Sequence, residues 1–135
     1  QMREAVLAEY AKCDVVIMAA AVADYRVAEP ADHKIKKTGD NQEMTLRLLR
    51  NPDILQELGE TKQQQFLVGF AAETHNLEEY ARGKLAAKHA DLLVANDTNQ
   101  IIIFAADGGR QAYPLTTKLA AADYILDAVV EKINI

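Results

Sequence analysis

The sequence predicts a Rossmann-like α/β fold with a mostly parallel sheet, helices on both faces and a C-terminal β-hairpin. Short apolar runs alternate with amphipathic segments along the chain, which is the pattern of βαβ units. Three runs, at residues 15–20, 66–72 and 92–95, are continuously apolar, as is typical of parallel strands covered on both faces. The length of 135 residues, with 50% hydrophobic and 26% charged residues, suits a single domain over residues 1–135.

The first third of the chain is expected to contain a helix, one strand and a long connection. Met2, Val6 and Tyr10 repeat every four residues, which predicts an amphipathic helix that ends near residue 12. A strand over residues 14–20 follows this helix. Residues 24–41 are polar and irregular, and a connection of that length is typical of functional or mobile loops.

A short strand over residues 44–49 is predicted next, followed by a helix with a clear start signal. Asn51 suits the N-cap, Pro52 suits the first helical position, and Asp53 suits the positive end of the helix dipole. Gly59 is expected to end this helix.

Two buried strands, over residues 66–72 and 92–95, are expected to enclose the next helix. Asn76 and Glu79 have the spacing of a capping box, which predicts the start of this helix. The helix is expected to run to about His89.

The C-terminal part is expected to form a hairpin and a final helix. Residues 101–104 and 111–113 have strand character, and the DGG sequence at 107–109 supplies the turn. The final helix is expected to carry the apolar residues Leu119, Ala122, Ile125, Leu126 and Val129.

Charge, cysteine content and the absence of serine exclude several classes of protein. A net charge of −5 argues against nucleic-acid binding, which requires clustered positive charge. The longest run without a polar residue, 15–23, is far shorter than the roughly 20 residues that cross a bilayer, so no membrane is implied. Cys13 is the single cysteine, which favours a reducing, cytoplasmic compartment. Because the sequence has no serine, serine hydrolase chemistry is excluded.

The carboxyl ends of the three apolar strands are the expected place for a ligand, as in other open α/β sheets. Residues 19–24, 71–73 and 96–97 follow these strands. The sequence contains neither of the two common glycine-rich phosphate loops. Any nucleotide phosphates would therefore be bound by side-chain cations and helix ends.

Two groups of lysines could supply these cations, and each has a plainer alternative. Residues 34–37 include three lysines in the long connection, where a solvated charge run is the commoner explanation. Lys84 and Lys88 lie one turn apart, with Tyr80 one turn earlier in the same row, beside the buried face of their helix. A solvated helix face is the alternative for this pair.

Asp24 and Phe70 lie near strand ends and also allow two interpretations. Asp24 could orient a ribose or a metal ion, or it could be a plain turn residue. Phe70 could lie against a nucleotide base, or it could be part of the core. The three histidines are scattered along the chain, which argues against a zinc site.

Five short segments occur in a fixed order, namely 19–25 (AAAVADY), 33–37 (HKIKK), 51–55 (NPDIL), 68–74 (VGFAAET) and 94–97 (VAND). Together they closely resemble the bacterial phosphopantothenate–cysteine ligase family, the synthetase of coenzyme A biosynthesis, which is often the C-terminal half of a bifunctional flavoprotein. The family's Gly-rich N-terminal portion has no counterpart in this sequence. The resemblance therefore implies that residues 1–135 are the C-terminal part of a larger ligase domain. The Gly-Phe loop that usually follows the fifth segment is also missing.

The resemblance implies CTP-dependent ligation of 4′-phosphopantothenate to cysteine through an acyl-cytidylate, giving 4′-phosphopantothenoylcysteine. Lys34 would be the catalytic lysine of acyl-cytidylate formation, and Mg²⁺ would accompany CTP. FMN is not implied, because the flavin-dependent decarboxylase half is absent. The family further implies a homodimer and, in a full-length protein, a covalent link to that decarboxylase domain.

The resemblance also assigns the residues that would bind CTP. These are Ala19, Ala20, Ala21, Asp24, Lys34, Asn51, Pro52, Asp53, Ile54, Phe70, Lys84 and Lys88. The sequence also allows two alternative functions. One is a non-catalytic nucleotide-binding and dimerisation remnant of such a domain. The other is a dinucleotide-binding oxidoreductase, which the missing glycine fingerprint disfavours.

Overall fold

The structure, a computed structural model, describes residues 1–36, 43–72, 76–96 and 99–133 and divides the chain into two units. The first unit comprises Gln1–Ala20 and Ile54–Ile135, and the second comprises Ala21–Asp53. The helices are α1 (Met2–Tyr10), α2 (Ile54–Glu60), α3 (Leu77–Lys88) and α4 (Lys118–Ile133). The strands are β1 (Val15–Ile17), β2 (Tyr25–Val27), β3 (Leu48–Arg50), β4 (Phe66–Ala71), β5 (Leu92–Asn96), β6 (Gln100–Ala105) and β7 (Arg110–Pro114). The single domain expected over residues 1–135 stays a prediction.

Five strands of the first unit form one sheet in the order β1-β4-β5-β6-β7. β4 pairs in parallel with both β1 and β5, with Val16 opposite Leu67 and Phe70 opposite Val94. β6 is antiparallel to β5 and to β7, so four of the five strands run in one direction. This sheet confirms the predicted Rossmann-like, mostly parallel architecture with a C-terminal hairpin.

Helices cover both faces of this sheet, as predicted. On one face, α1, α2 and α3 pack around a core that includes Leu58 and Leu67. On the other face, α4 places Ile125 and Val129 against a second core that includes Val68. Leu67 and Val68 are adjacent in β4 and fully buried on opposite faces, as the alternation of a strand requires. Burial of each such side chain contributes about 1.5–3 kcal/mol to folding.

The first strand is shorter and less buried than predicted. β1 covers only three residues of the expected 14–20, and the side chain of Ile17 is 37% exposed. The physical reason is its position, because in the described sheet β1 pairs with β4 alone and forms an edge. An apolar run therefore indicated a strand correctly but did not indicate burial.

The predicted irregular connection over residues 24–41 contains a strand in the second unit. β2 pairs antiparallel with β3, with Arg26 opposite Leu49. β3 overlaps only the end of the strand expected over residues 44–49. Every side chain of both strands is exposed, so neither strand shows the alternation of a half-buried strand. Residues 37–42 of the connection, including Lys37, lie outside the described residues.

Two predicted helix starts need correction. α2 begins at Ile54, and Asn51 does not cap it. Instead, Asn51 Nδ2 donates to the Ala23 carbonyl at 2.7 Å, and Asn51 Oδ1 accepts a hydrogen bond from Arg26 at 2.9 Å. Asn76 is the N-cap of α3, but it adopts a left-handed backbone with φ 48° and its side chain makes no capping hydrogen bond. The predicted capping hydrogen bond from the Asn76 side chain is therefore wrong.

The apolar residues of the final helix are only partly buried. Ile125, Ala128 and Val129 are buried against the sheet. Leu119 and Leu126 are 74% and 50% exposed, and Ala122 is exposed as well. Neighbouring helical residues point about 100° apart, so Ile125 and Leu126 cannot both face the same sheet surface.

Gly59 is required where α2 approaches the end of α3. A Cβ on Gly59 would lie 1.9 Å from the carbonyl oxygen of Lys88, whereas a Cβ on Gly83 in α3 would meet open space. We expect Gly59→Ala to lower the free energy of unfolding by about 1–3 kcal/mol through overpacking. Gly83→Ala should raise it by about 0.5–1 kcal/mol through helix propensity. Urea denaturation measures both changes, and equal stability of the two variants would contradict the close approach.

An ion pair between α1 and α2 makes stability depend on pH. Arg3 Nε donates to Glu57 Oε2 at 2.6 Å, and this bond lowers the pKa of Glu57 from its ordinary 4.5. A carboxyl whose pKa is lowered by folding stabilises the protein above its unfolded pKa, and that stability is lost as pH falls through the folded value. Glu57→Gln and Arg3→Met should therefore both reduce the fall in melting temperature below about pH 4.5. An unchanged slope in both variants would exclude this contribution.

Candidate functional site at the carboxyl edge of the sheet

The residues expected to bind a nucleotide are distributed over both units, and each unit is described by itself. The first unit contains Ala19, Ala20, Ile54, Phe70, Lys84 and Lys88. The second unit contains Ala21, Asp24, Lys34, Asn51, Pro52 and Asp53. The nucleotide-binding role of all twelve stays a prediction.

In the first unit, the parallel strands β1, β4 and β5 end at one edge of the sheet, which we call the carboxyl edge. Ala19 and Ala20 follow β1 at this edge, and both are exposed. The amide of Met18 donates to the Val68 carbonyl at 2.9 Å, which extends the pairing of β1 with β4. Because the alanine side chains are small, the backbone after β1 can be approached closely by a ligand.

Phe70 contributes its backbone as well as its ring to the carboxyl edge. The ring is half-buried and packs against the core on the α4 side of the sheet, as the core interpretation expects. The carbonyl oxygen of Phe70 accepts a hydrogen bond from Lys84 Nζ at 2.8 Å. The strand end therefore holds the ammonium group of a residue fourteen positions further along the chain.

Lys84 is turned towards the sheet and is not an extended surface lysine. The residue is half-buried, and its Nζ lies 6.0 Å from the centroid of the Tyr80 ring. The ion pairs found within the described ranges do not include Lys84. Among the described residues, its ammonium group therefore contacts a carbonyl dipole and an aromatic face, both of which are neutral.

Lys88 lies one turn further along α3 and contacts α2. Its Nζ donates to Gln56 Oε1 at 3.0 Å, and Gln56 Nε2 donates in turn to Glu60 at 2.8 Å. Sequence reasoning did not single out Gln56, because the contact depends on how α2 packs against α3. The glycine at position 59 is a sequence signal for that packing, because a side chain there would collide with the end of α3.

In the second unit, the hairpin of β2 and β3 brings Asp24 and Asn51 together. The Asn51 amide donates to the Asp24 carbonyl at 2.7 Å. The Asn51 side chain is fixed by Ala23 and Arg26, as described above, and the side chains of Asp24 and Lys34 are exposed. These contacts fit the turn interpretation of Asp24 and leave its carboxylate accessible.

A cleft of about 500 Å³ lies elsewhere in the first unit, between α3 and the start of β5. Its charged side chains include Lys62 and Arg82. Lys62 donates to Asp91 at 2.9 Å, and Arg82 donates to Glu78 at 2.9 Å. Because these cations are already paired with carboxylates, the cleft offers less to an anion than Lys84 does.

The described residues contain neither a cluster of potential metal ligands nor a membrane-spanning helix. Within the part of the chain that the structure describes, no three His, Cys, Asp or Glu side chains form a group that could hold a metal ion. No step proposed below depends on a metal ion held by the protein alone. Among the same residues, no helix is both long enough and apolar enough to cross a membrane.

Comparison with known proteins gives consistent matches over nearly the whole chain. A family model described as the DNA/pantothenate metabolism flavoprotein C-terminal domain matches residues 1–133. The coenzyme A biosynthesis bifunctional protein CoaBC of Bacillus subtilis (strain 168) is 49% identical over 139 residues, which cover 95% of this chain and 34% of that protein. The chain spans about a third of the length of the curated relatives it matches.

Solved structures show the same fold. The crystal structure of the C-terminal domain of CoaBC has a TM-score of 0.83 and 43% identity, and the match covers 98% of this chain and 61% of that one. A Cab2 variant in complex with phosphopantothenate-cysteine has a TM-score of 0.68 at 21% identity, over 84% of this chain and 42% of that one. At that identity the Cab2 likeness concerns the fold alone.

Proposed function

The chain belongs to the family of DNA/pantothenate metabolism flavoprotein C-terminal domains, and on that basis we propose that it ligates 4′-phosphopantothenate to cysteine with CTP. The proposal is supported by 49% identity to a coenzyme A biosynthesis protein and by the five ordered segments of the ligase family. The single observation that carries it furthest is Lys84, whose ammonium group has only neutral described partners at the carboxyl edge. That edge is where open α/β sheets bind ligands.

The proposed reaction has two steps. The carboxylate of 4′-phosphopantothenate attacks the α-phosphorus of CTP, the bond to the β-phosphate oxygen breaks, and pyrophosphate leaves. The amine of cysteine then attacks the acyl carbon, CMP leaves, and the amine loses a proton. Negative charge develops on the phosphates in the first step, and one well-placed donor there is worth about 3–4 kcal/mol. Lys34 is proposed as that donor, and Lys84 and Lys88 as ligands of the outer phosphates.

We propose that Mg²⁺ arrives bound to CTP and that FMN has no role in this chain. A covalent link to a decarboxylase is supported by the matched relatives, which are named bifunctional proteins.

A homodimer is supported by the second unit, where several large apolar side chains are exposed. These are Val22, Tyr25, Ile35, Met44, Leu46 and Leu48. Exposed apolar groups in such number mark an interaction surface more often than free surface. Action in the cytoplasm is also proposed.

The catalytic role of Lys34 is tested in a full-length ligase that contains this sequence, by pyrophosphate exchange into CTP in the presence of 4′-phosphopantothenate. We expect Lys34→Gln to lose most of the exchange and to keep its melting temperature, because the side chain is exposed. Lys36→Gln, in the same charge run, is the matched control and should keep its rate. A Lys34 variant that retains more than about a tenth of the rate, a loss below ~1.4 kcal/mol, would contradict the role. No exchange by the unchanged full-length protein would favour the non-catalytic remnant.

The paired lysines of α3 should distinguish CTP from CMP. Replacing both Lys84 and Lys88 by Ala should weaken CTP binding several-fold more than CMP binding, because each charge-assisted contact is made to an outer phosphate. Calorimetric titration measures both affinities, and Lys12→Ala, at an exposed position just after α1, is the control. Equal losses for the two nucleotides would show that these lysines do not contact the outer phosphates. The unchanged protein should bind CTP more tightly than ATP. Equal affinity for the two nucleotides would contradict the proposed use of CTP.

A further inference from the structure

Lys84 differs from three other basic side chains of the first unit. Lys62 pairs with Asp91, Arg82 pairs with Glu78, and Lys132 pairs with Asp107, so each has a carboxylate nearby. Lys84 has instead the Phe70 carbonyl at 2.8 Å and the Tyr80 ring at 6.0 Å. The ring and the carbonyl restrain the ammonium group without neutralising it.

Tyr80 is an aromatic side chain whose position is not explained by the core. It lies one turn before Lys84 in α3 and is 45% exposed. Ala81 and Leu85, which belong to the core row of the same helix, are buried. Because residues four apart on a helix are neighbours, the Tyr80 ring lies beside the lysine side chain, not beneath the helix.

The face of an aromatic ring attracts a cation through its quadrupole, and this attraction does not depend on the phenolic hydroxyl. A free lysine side chain samples many rotamers, and part of that freedom is lost when its ammonium group binds a phosphate. A ring that already holds the ammonium near the carboxyl edge reduces this loss. The Phe70 carbonyl alone fixes one N–H direction and leaves the aliphatic part of the chain unrestrained.

We propose that Tyr80 is a positioning residue that holds Lys84 Nζ at the carboxyl end of β4, ready for the outer phosphates of the nucleotide. This inference rests on the proposed function, since it requires that Lys84 binds CTP. Tyr80 itself is not assigned to the ligand. Its effect is exerted through Lys84.

The test compares Tyr80→Phe, which keeps the ring, with Tyr80→Leu, which removes it, each alone and combined with Lys84→Met. Calorimetry with CTP and with CMP gives the affinities, and thermal unfolding checks the fold. Tyr80→Phe should bind CTP as the unchanged protein does. Tyr80→Leu should bind CTP about two- to five-fold more weakly, the size expected of an exposed cation–π contact, with CMP little changed. In the Lys84→Met background, Tyr80→Leu should cause no further loss, because coupled residues are not additive.

The outcomes separate this inference from the function on which it rests. Absence of CTP binding by the unchanged protein, or undiminished binding by Lys84→Met, overturns the lysine assignment and the inference with it. If Lys84→Met weakens CTP binding but Tyr80→Leu does not, the inference alone is overturned. It is also overturned if Tyr80→Leu weakens CMP as much as CTP, or if its effect persists without Lys84, since both results indicate a merely structural role.

Discussion

The position of β4 between two parallel neighbours is the constraint on which the rest of the first unit depends. Its side chains are buried on both faces, by α1, α2 and α3 on one side and by α4 on the other. The Leu67 amide near its start donates to Asp91, which also binds Lys62. Both faces and both edges of β4 are thus occupied, so its carboxyl end is held in one place. The Phe70 carbonyl lies near that end, and it fixes where Lys84 can be.

The sequence predicts those elements whose burial requires a recognisable order of apolar and polar residues. β4, β5 and the C-terminal hairpin were predicted because strands covered on both faces must be continuously apolar, and because the DGG turn is specific. β2 could not be predicted in this way and β3 was predicted only in part, since their side chains are exposed and their pairing uses backbone groups. The apolar residues of α4 indicate a helix but not which of them are buried, because they cover more than one side and only Ile125, Ala128 and Val129 are buried.

The contacts of the candidate site were hard to predict because several of them are made by backbone groups, which leave no pattern in the side chains. Lys84 and Lys88 could be singled out from their spacing, yet their partners could not. The sequence draws attention to the aromatic ring of Phe70. The contact to Lys84, however, is made by the backbone carbonyl, which every residue possesses. Asn51 was interpreted as a helix cap, and its hydrogen bonds instead tie it to the turn before β2. Tertiary contacts across 14 or 28 residues leave no local signal in a single sequence.

A crystal structure of the protein with CTP tests the central claim most directly, namely that the carboxyl edge of β4 presents Lys84 to a nucleotide triphosphate. We expect electron density for the nucleotide at this edge, with Lys84 Nζ about 2.7–2.9 Å from an outer phosphate oxygen. Tyr80 should remain beside the lysine side chain. Nucleotide bound elsewhere, with Lys84 Nζ still donating only to the Phe70 carbonyl, would contradict the account.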